Sequence, residues 1–143
     1  MILDRQLCFS DGQALSGATT TASTDLIDFT LQTRNPGIGT PLFLVVGIPV
    51  AAGGTTPTLA VAFQVDDNAA FSSAATLFTS PTYTAAQLTA GAQFVYPLPI
   101  SGFERYARLS YTQTGTSPTV TVDAHIVTAA ELVALYPVGF TVA

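Results

Sequence analysis

Tyr106-Ala107-Arg108-Leu109-Ser110-Tyr111-Thr112 and, shortly after it, Val120-Thr121-Val122-Asp123-Ala124-His125-Ile126 decide how this chain folds. In the first stretch Ala107, Leu109 and Tyr111 alternate with Tyr106, Arg108, Ser110 and Thr112. In the second, Val120, Val122, Ala124 and Ile126 alternate with Thr121, Asp123 and His125. A period of two puts the apolar residues on one face of an extended backbone and the polar ones on the other, so both read as half-buried strands.

The same pattern recurs outward from these two. Ile27, Phe29 and Leu31 alternate with polar neighbours, and Leu59, Val61, Phe63 and Val65 share one side of a strand that Asp66-Asp67-Asn68 ends. Leu42 to Ile48 is nearly continuous apolar sequence, as a strand covered on both faces requires. Thr76-Leu77-Phe78-Thr79 is a brief strand before Ser80-Pro81. Phe94, Tyr96, Leu98 and Ile100 alternate with Gln93, Val95, Pro97 and Pro99, so two prolines remove amide donors from one side, which marks an edge or bulged strand.

Asn35 to Pro41 and Ala51 to Pro57 are loops, each broken by Pro and Gly. Ala69 to Ala75 reads as a short helical turn or irregular segment. Thr84 to Leu88 has helix-compatible residues behind a Thr cap, and Thr128 to Leu135 opens with a capping box, Thr128 and Glu131, before Pro137; a strand continuing from Val127 competes with that helix. Seven or eight short strands between Gly, Pro and Thr turns predict an all-β antiparallel β-sandwich of jelly-roll topology, with at most one or two short helical turns. With no repeat and no linker, residues 1–143 form a single domain with an N-terminal arm to about residue 12 and an apolar C-terminal tail from about residue 128.

Composition narrows the function. Thirteen charged residues, four Arg and nine Asp or Glu with no Lys, accompany 22 Thr. Thr favours the pleated backbone and offers a hydroxyl on a short, stiff side chain. Such a surface suits stable contact with protein better than catalysis. The net charge of −5, with no run of Arg, opposes nucleic-acid binding. Cys8 has no partner for a disulfide or a multi-thiolate zinc site. Asp4 and Arg5 interrupt what a signal peptide would need, and Pro41 to Ala52 is too short to span a bilayer, so synthesis in the cytoplasm and no membrane contact are expected.

The constellations that bear chemistry are thin. Asp123 and His125 share a strand face, yet there is no second His and no G-x-S-x-G elbow, so no catalytic residue is assigned. Asp66-Asp67-Asn68 clusters oxygens that could join a calcium site, but the EF-hand spacing is missing and an Asx-capped turn explains the same residues. No metal ligand and no cofactor site is assigned. Glu104, Arg105 and Arg108 beside Tyr106 and Tyr111 form the dense charge group, in the vocabulary of interface anchors, or Arg108 simply lays its stem along the sheet. The residues read as protein contacts are Ile2, Leu3, Leu7 and Phe9 near the start, Arg105, Tyr106 and Arg108, and Phe140 near the end.

Met1-Ile2-Leu3-Asp4-Arg5-Gln6-Leu7 with Phe9-Ser10-Asp11, the Asn35-Pro36-Gly37 loop with Pro41-Leu42, Gln64 to Ser73, and Arg105-Tyr106-Ala107-Arg108-Leu109-Ser110-Tyr111 occur in an order and spacing that resembles the jelly-roll cement, or decoration, proteins of tailed-phage capsids. The likeness covers about residues 1 to 127; Thr128 to Ala143 is longer and more apolar than that pattern. The resemblance implies a non-enzymatic virion protein on the outer surface of an icosahedral head, with the major capsid protein as partner, tying its subunits together against packaged DNA. Self-association is also expected, a homodimer before a trimer, because Leu42 to Ile48 is apolar on both faces and both chain ends are rich in large apolar residues. The other reading open to such a chain is a tail or adhesion sandwich that binds a receptor or carbohydrate, against which the lack of Trp counts.

Overall fold

Every second residue from Leu59 to Val65 and from Ala107 to Gln113 is buried, and the residues between them face outward. These are the facing sides of two neighbouring strands in one continuous antiparallel sheet. The computed structural model describes residues 5–30 and 39–131. Within them a short 3-10 turn, Arg5–Leu7, precedes β1 (Cys8–Ser16), β2 (Thr20–Ala22), β3 (Ile27–Asp28), β4 (Leu42–Ile48), β5 (Gly53–Asp66), β6 (Ala75–Thr79), β7 (Tyr83–Thr84), β8 (Ala92–Pro97) and β9 (Tyr106–Thr128).

The topology follows from β9. Its first half pairs with β5 on one side and with β2 and β3 on the other, whereas its second half pairs with β1 and β4. Between the halves Gly115 at φ 120° and Ser117 at φ 48° bend the chain, so one strand passes from one layer to the next. The sheet thus curls into two facing layers, ordered β2/β3-β9-β5-β6/β7 and β1-β9-β4-β8. That is the jelly-roll order, with the last two strands fused into one.

Aromatic rings fill the space between the layers. Phe63 meets Phe9 edge-on at 5.9 Å, stacks on Phe78 at 5.8 Å and touches Phe103 at 5.7 Å. Phe103 in turn holds Phe29 at 5.6 Å. Edge strands β7 and β8 lie in different layers and are joined by rings: Tyr83 stacks on Phe94 at 3.8 Å, Phe78 approaches Tyr96 at 5.5 Å, and the Tyr83 and Tyr96 hydroxyls share a hydrogen bond. Stacking adds about 0.5–1.5 kcal/mol per pair beyond area burial, so these contacts hold the layers together where ladder bonds do not.

Several expectations take a different form. The two clearest strands are one bent strand, β9, because Gly115 to Pro118 turns the backbone without ending the ladder. β3 stops at Asp28; Thr30 at φ 66° leaves the extended region, and Leu31 lies outside the described residues. β8 ends at Pro97, and Ile100, expected to face the core, is 67% exposed. The edge position of β8 holds. Leu98 N donates to Leu42 O at 2.9 Å, so by alternation Phe94 and Tyr96 turn their amides toward β4, while Pro97 and Pro99 stand where the outward donors would be. The segment read as an arm is part of the sheet from Cys8 onward. Residues 85–87 form a turn, with Gln87 and Leu88 amides both reaching Thr84 O. At the other end β9 runs to Thr128, as the strand reading has it, and its capping box with Glu131 starts helical backbone at Ala129; the rest of the helix read to Leu135 lies outside the described residues.

Candidate contact surface

Of the eight residues read as protein contacts, Ile2, Leu3 and Phe140 lie outside the described residues. Leu7 is half-buried against the core, and Phe9 is fully buried beside Phe63, so its ring serves the interior. Arg105 grips both oxygens of Asp28, at 3.0 and 3.1 Å, and lies over the Tyr106 ring at 4.9 Å. This hydrogen bonding holds the Asp28 carboxyl below the usual carboxylate range. Arg108 donates to Gln64 Oε1 at 2.9 Å and covers the Phe71 ring at 4.3 Å. The structure therefore brings Arg105, Tyr106 and Arg108 together on the start of β9, with each guanidinium already held within the chain. Arg5 likewise reaches Asp11 and Asp25.

What sequence reading missed is the array beside them. On the outer face of the layer containing β5, Thr84, Thr58 and Thr114 stand in one cross-strand row, and Ala60, Thr112 and Thr20 in the next. A third row is Thr79, Ala62, Ser110 and Ala22. None of these residues is charged. The hydroxyls of Thr58 and Thr114 are 2.6 Å apart, and those of Thr20 and Thr112 are 3.0 Å apart. Such bonds fix the rotamers of β-branched side chains that already have few to choose from. The result is a neutral, hydroxyl-bearing face, its threonines exposed or half-buried and Ser110 buried among them, bordered at one end by Arg108. Thr abundance signalled it; which Thr residues share a face depended on register.

Groups able to carry chemistry are mostly absorbed by the fold. Asp66 is fully buried, and its carboxylate accepts Asn68 N at 3.0 Å and Ser73 N at 2.8 Å, the Asx turn anticipated from Asp66-Asp67-Asn68. Burial pushes its carboxyl up, but bonds from Asn68, Ser73 and Asp67 outweigh that and hold it below the ordinary value. Oxygens of Asp66, Asp67 and Glu104 come within 4.8 Å of one another, a grouping with the chemistry to hold a divalent cation, although Asp66 already spends its oxygens on the loop backbone. Inside the core, Tyr111 shares a 2.7 Å bond with Ser10, which also donates to Gln13. No helix among the described residues is long and apolar enough to cross a membrane.

The fold and this surface make an all-β domain compatible with a structural or binding module. No curated protein matches the chain. The family model Bbp16, in contrast, matches residues 9–126, from the first buried aromatic of β1 to the last inward residue of β9, and the chain belongs to the Bbp16 family.

Proposed function

We propose that this protein is a capsid cement protein, binding the outside of an icosahedral phage head through its neutral outer face and tying major-capsid subunits together. The observation that carries the reading is the uncharged floor of Thr, Ala and Ser on the β5 layer, which extends the sequence resemblance to cement proteins into a surface of suitable chemistry. Hydroxyls on a rigid sheet make neutral hydrogen bonds at little entropic cost, and weak contacts repeated over a lattice sum to firm attachment. Because the described Arg residues are paired within the chain, such contacts depend little on ion pairs.

Heads assembled without the protein should keep their shape yet lose DNA on heating, and purified protein should restore them. Binding should persist between about 0.05 and 0.5 M salt, across which a charge-driven contact would fade. Failure to bind intact heads, or loss of binding over that range, overturns the proposal. The protein should also self-associate, as a dimer, in sedimentation at tens of micromolar, roughly where a modest interface holds.

A further inference from the structure

His125 sits on the outer face of the layer opposite the threonine floor, paired across the sheet with Cys8 of β1 on one side and Val45 of β4 on the other. Cys8 is 5% exposed, Val45 8% and Val127, two residues along the same face, 1%. The imidazole is thus walled by apolar groups, and its Nδ1 is sealed from solvent with no hydrogen-bond partner. A neutral ring tolerates this, since with the proton on Nε2 its Nδ1 carries only a lone pair. A protonated ring does not, because it must place an N–H and a full charge against that wall.

The charged groups facing it do not change the outcome. Asp123 lies two residues away on β9, its Oδ1 accepting Gly12 N at 2.5 Å, and Asp11 is on β1. Arg5 of the 3-10 turn is engaged with Asp11 and Asp25, the Cys8 thiol is pushed up by burial and stays neutral, and β4 brings no titratable group. Burial outweighs the two carboxylates, so the His125 pKa lies below its ordinary 6.5. Strain from a proton there finds one weak neighbour. β4 is held on both sides in regular register, whereas β1, among the described residues, has one ladder partner, its register shifts twice between Cys8 and Gln13, and its other side is tied by isolated bonds, Asp25 N to Phe9 O at 2.9 Å and those of the Gln13 side chain to Ala22 and Thr24.

We propose that His125 is an acid-sensitive latch for the N-terminal strand: neutral, it is the floor on which Cys8 packs; protonated, it lifts the start of β1, with the 3-10 turn, off β9. The inference is independent of what the protein binds. A base whose pKa is lower folded than unfolded leaves the docked state unaffected well above 6.5 and weakens it as pH falls from there, until the folded value is passed.

Hydrogen exchange, corrected for intrinsic rate, should show constant protection of amides 8–13 between about pH 7 and 8. It should then fall from 6.5 toward about 5, by up to about tenfold for each unit by which the pKa is depressed. His125→Gln and His125→Phe should each remove that dependence, and the imidazole resonance of the unmodified protein should titrate below 6.5. A resonance titrating at or above 6.5, the same loss in His125→Gln, or β4 opening together with β1 would overturn the latch.

Discussion

Replacing Gln113 with Met should make the protein more stable. Gln113 is 2% exposed, points inward from β9 opposite Leu59, and neither its Nε2 nor its Oε1 has a hydrogen-bond partner. Its backbone is satisfied, the amide donating to Thr19 O at 2.9 Å, so the deficit belongs to the side chain alone. An unpaired buried polar group costs about 1–3 kcal/mol, and a carboxamide has two ends. Met has nearly the same length and volume, with a thioether that leaves nothing unsatisfied and bends to fit irregular gaps. Subtracting about 1 kcal/mol for imperfect packing of the new side chain from that cost leaves a gain of up to about 2 kcal/mol. For a chain near 150 residues that raises Tm by up to roughly 8 °C. Urea unfolding followed by tyrosine fluorescence reads the change as a higher midpoint at constant slope. A Gln113→Met protein less stable by about 1 kcal/mol or more would refute the reasoning, for it would mean that the amide is paired in solution, by buried water or by backbone.

Two further outcomes follow from the same structure. Gly115→Ala should cost about 2 kcal/mol or more, because φ is 120° and a Cβ would meet Thr56 O at 2.6 Å and Thr55 O at 2.9 Å, both backbone atoms that cannot yield; Gly17→Ala, with φ of 83° and nothing within 4 Å, should cost about half as much in the same denaturation assay. In an alkaline titration followed at the phenolate absorbance, Tyr96 and Tyr111 should ionise only as the protein unfolds, since burial raises both well above 10. The folded state keeps those protons while the unfolded chain loses them, so stability is full below pH 10 and declines above it. A set of tyrosines that all ionise near 10 in the folded protein would disprove that burial.

Period two was enough to find most strands and which of their faces is buried, because a strand with one covered face writes its environment into alternate residues. Leu59, Val61, Phe63 and Val65 are all within 1% of full burial, as their spacing requires. Pro97 and Pro99 gave the edge for an equally local reason, since a missing N–H cannot enter a ladder. What alternation does not carry is continuity. From Gly115 to Pro118 the residues look like a turn, and they do bend, but pairing with β5 continues through Thr116 and Thr119, so two apparent strands are one. β1 was missed for a similar reason: Ser10, Gly12 and Gln13 break the alternation, and the strand is held by β9 and by the Ser10 to Tyr111 bond across a sequence distance no local pattern reports.

The contact surface shows the same division more sharply. Residue type singles out Arg105, Tyr106 and Arg108, and they do cluster, but type says nothing of whether a guanidinium is already engaged. Asp28, Gln64 and Phe71, far away in sequence, engage them here. The threonines carry the opposite lesson. Individually each is an ordinary strand residue, and only the registers Thr58 to Thr114, Thr58 to Thr84 and Thr20 to Thr112 turn them into a surface. A fold that pairs its described Arg residues internally while setting hydroxyls in rows on a sheet offers neutral groups on this face. Under the proposed function, that arrangement ties a property of composition, 22 Thr and no Lys, to an expected property of attachment, insensitivity to salt. If the face works as proposed, one charge placed in its centre, such as Thr112→Asp, should weaken attachment to heads far more than the same change at Thr89, a loop position away from the three rows, while leaving the fold intact.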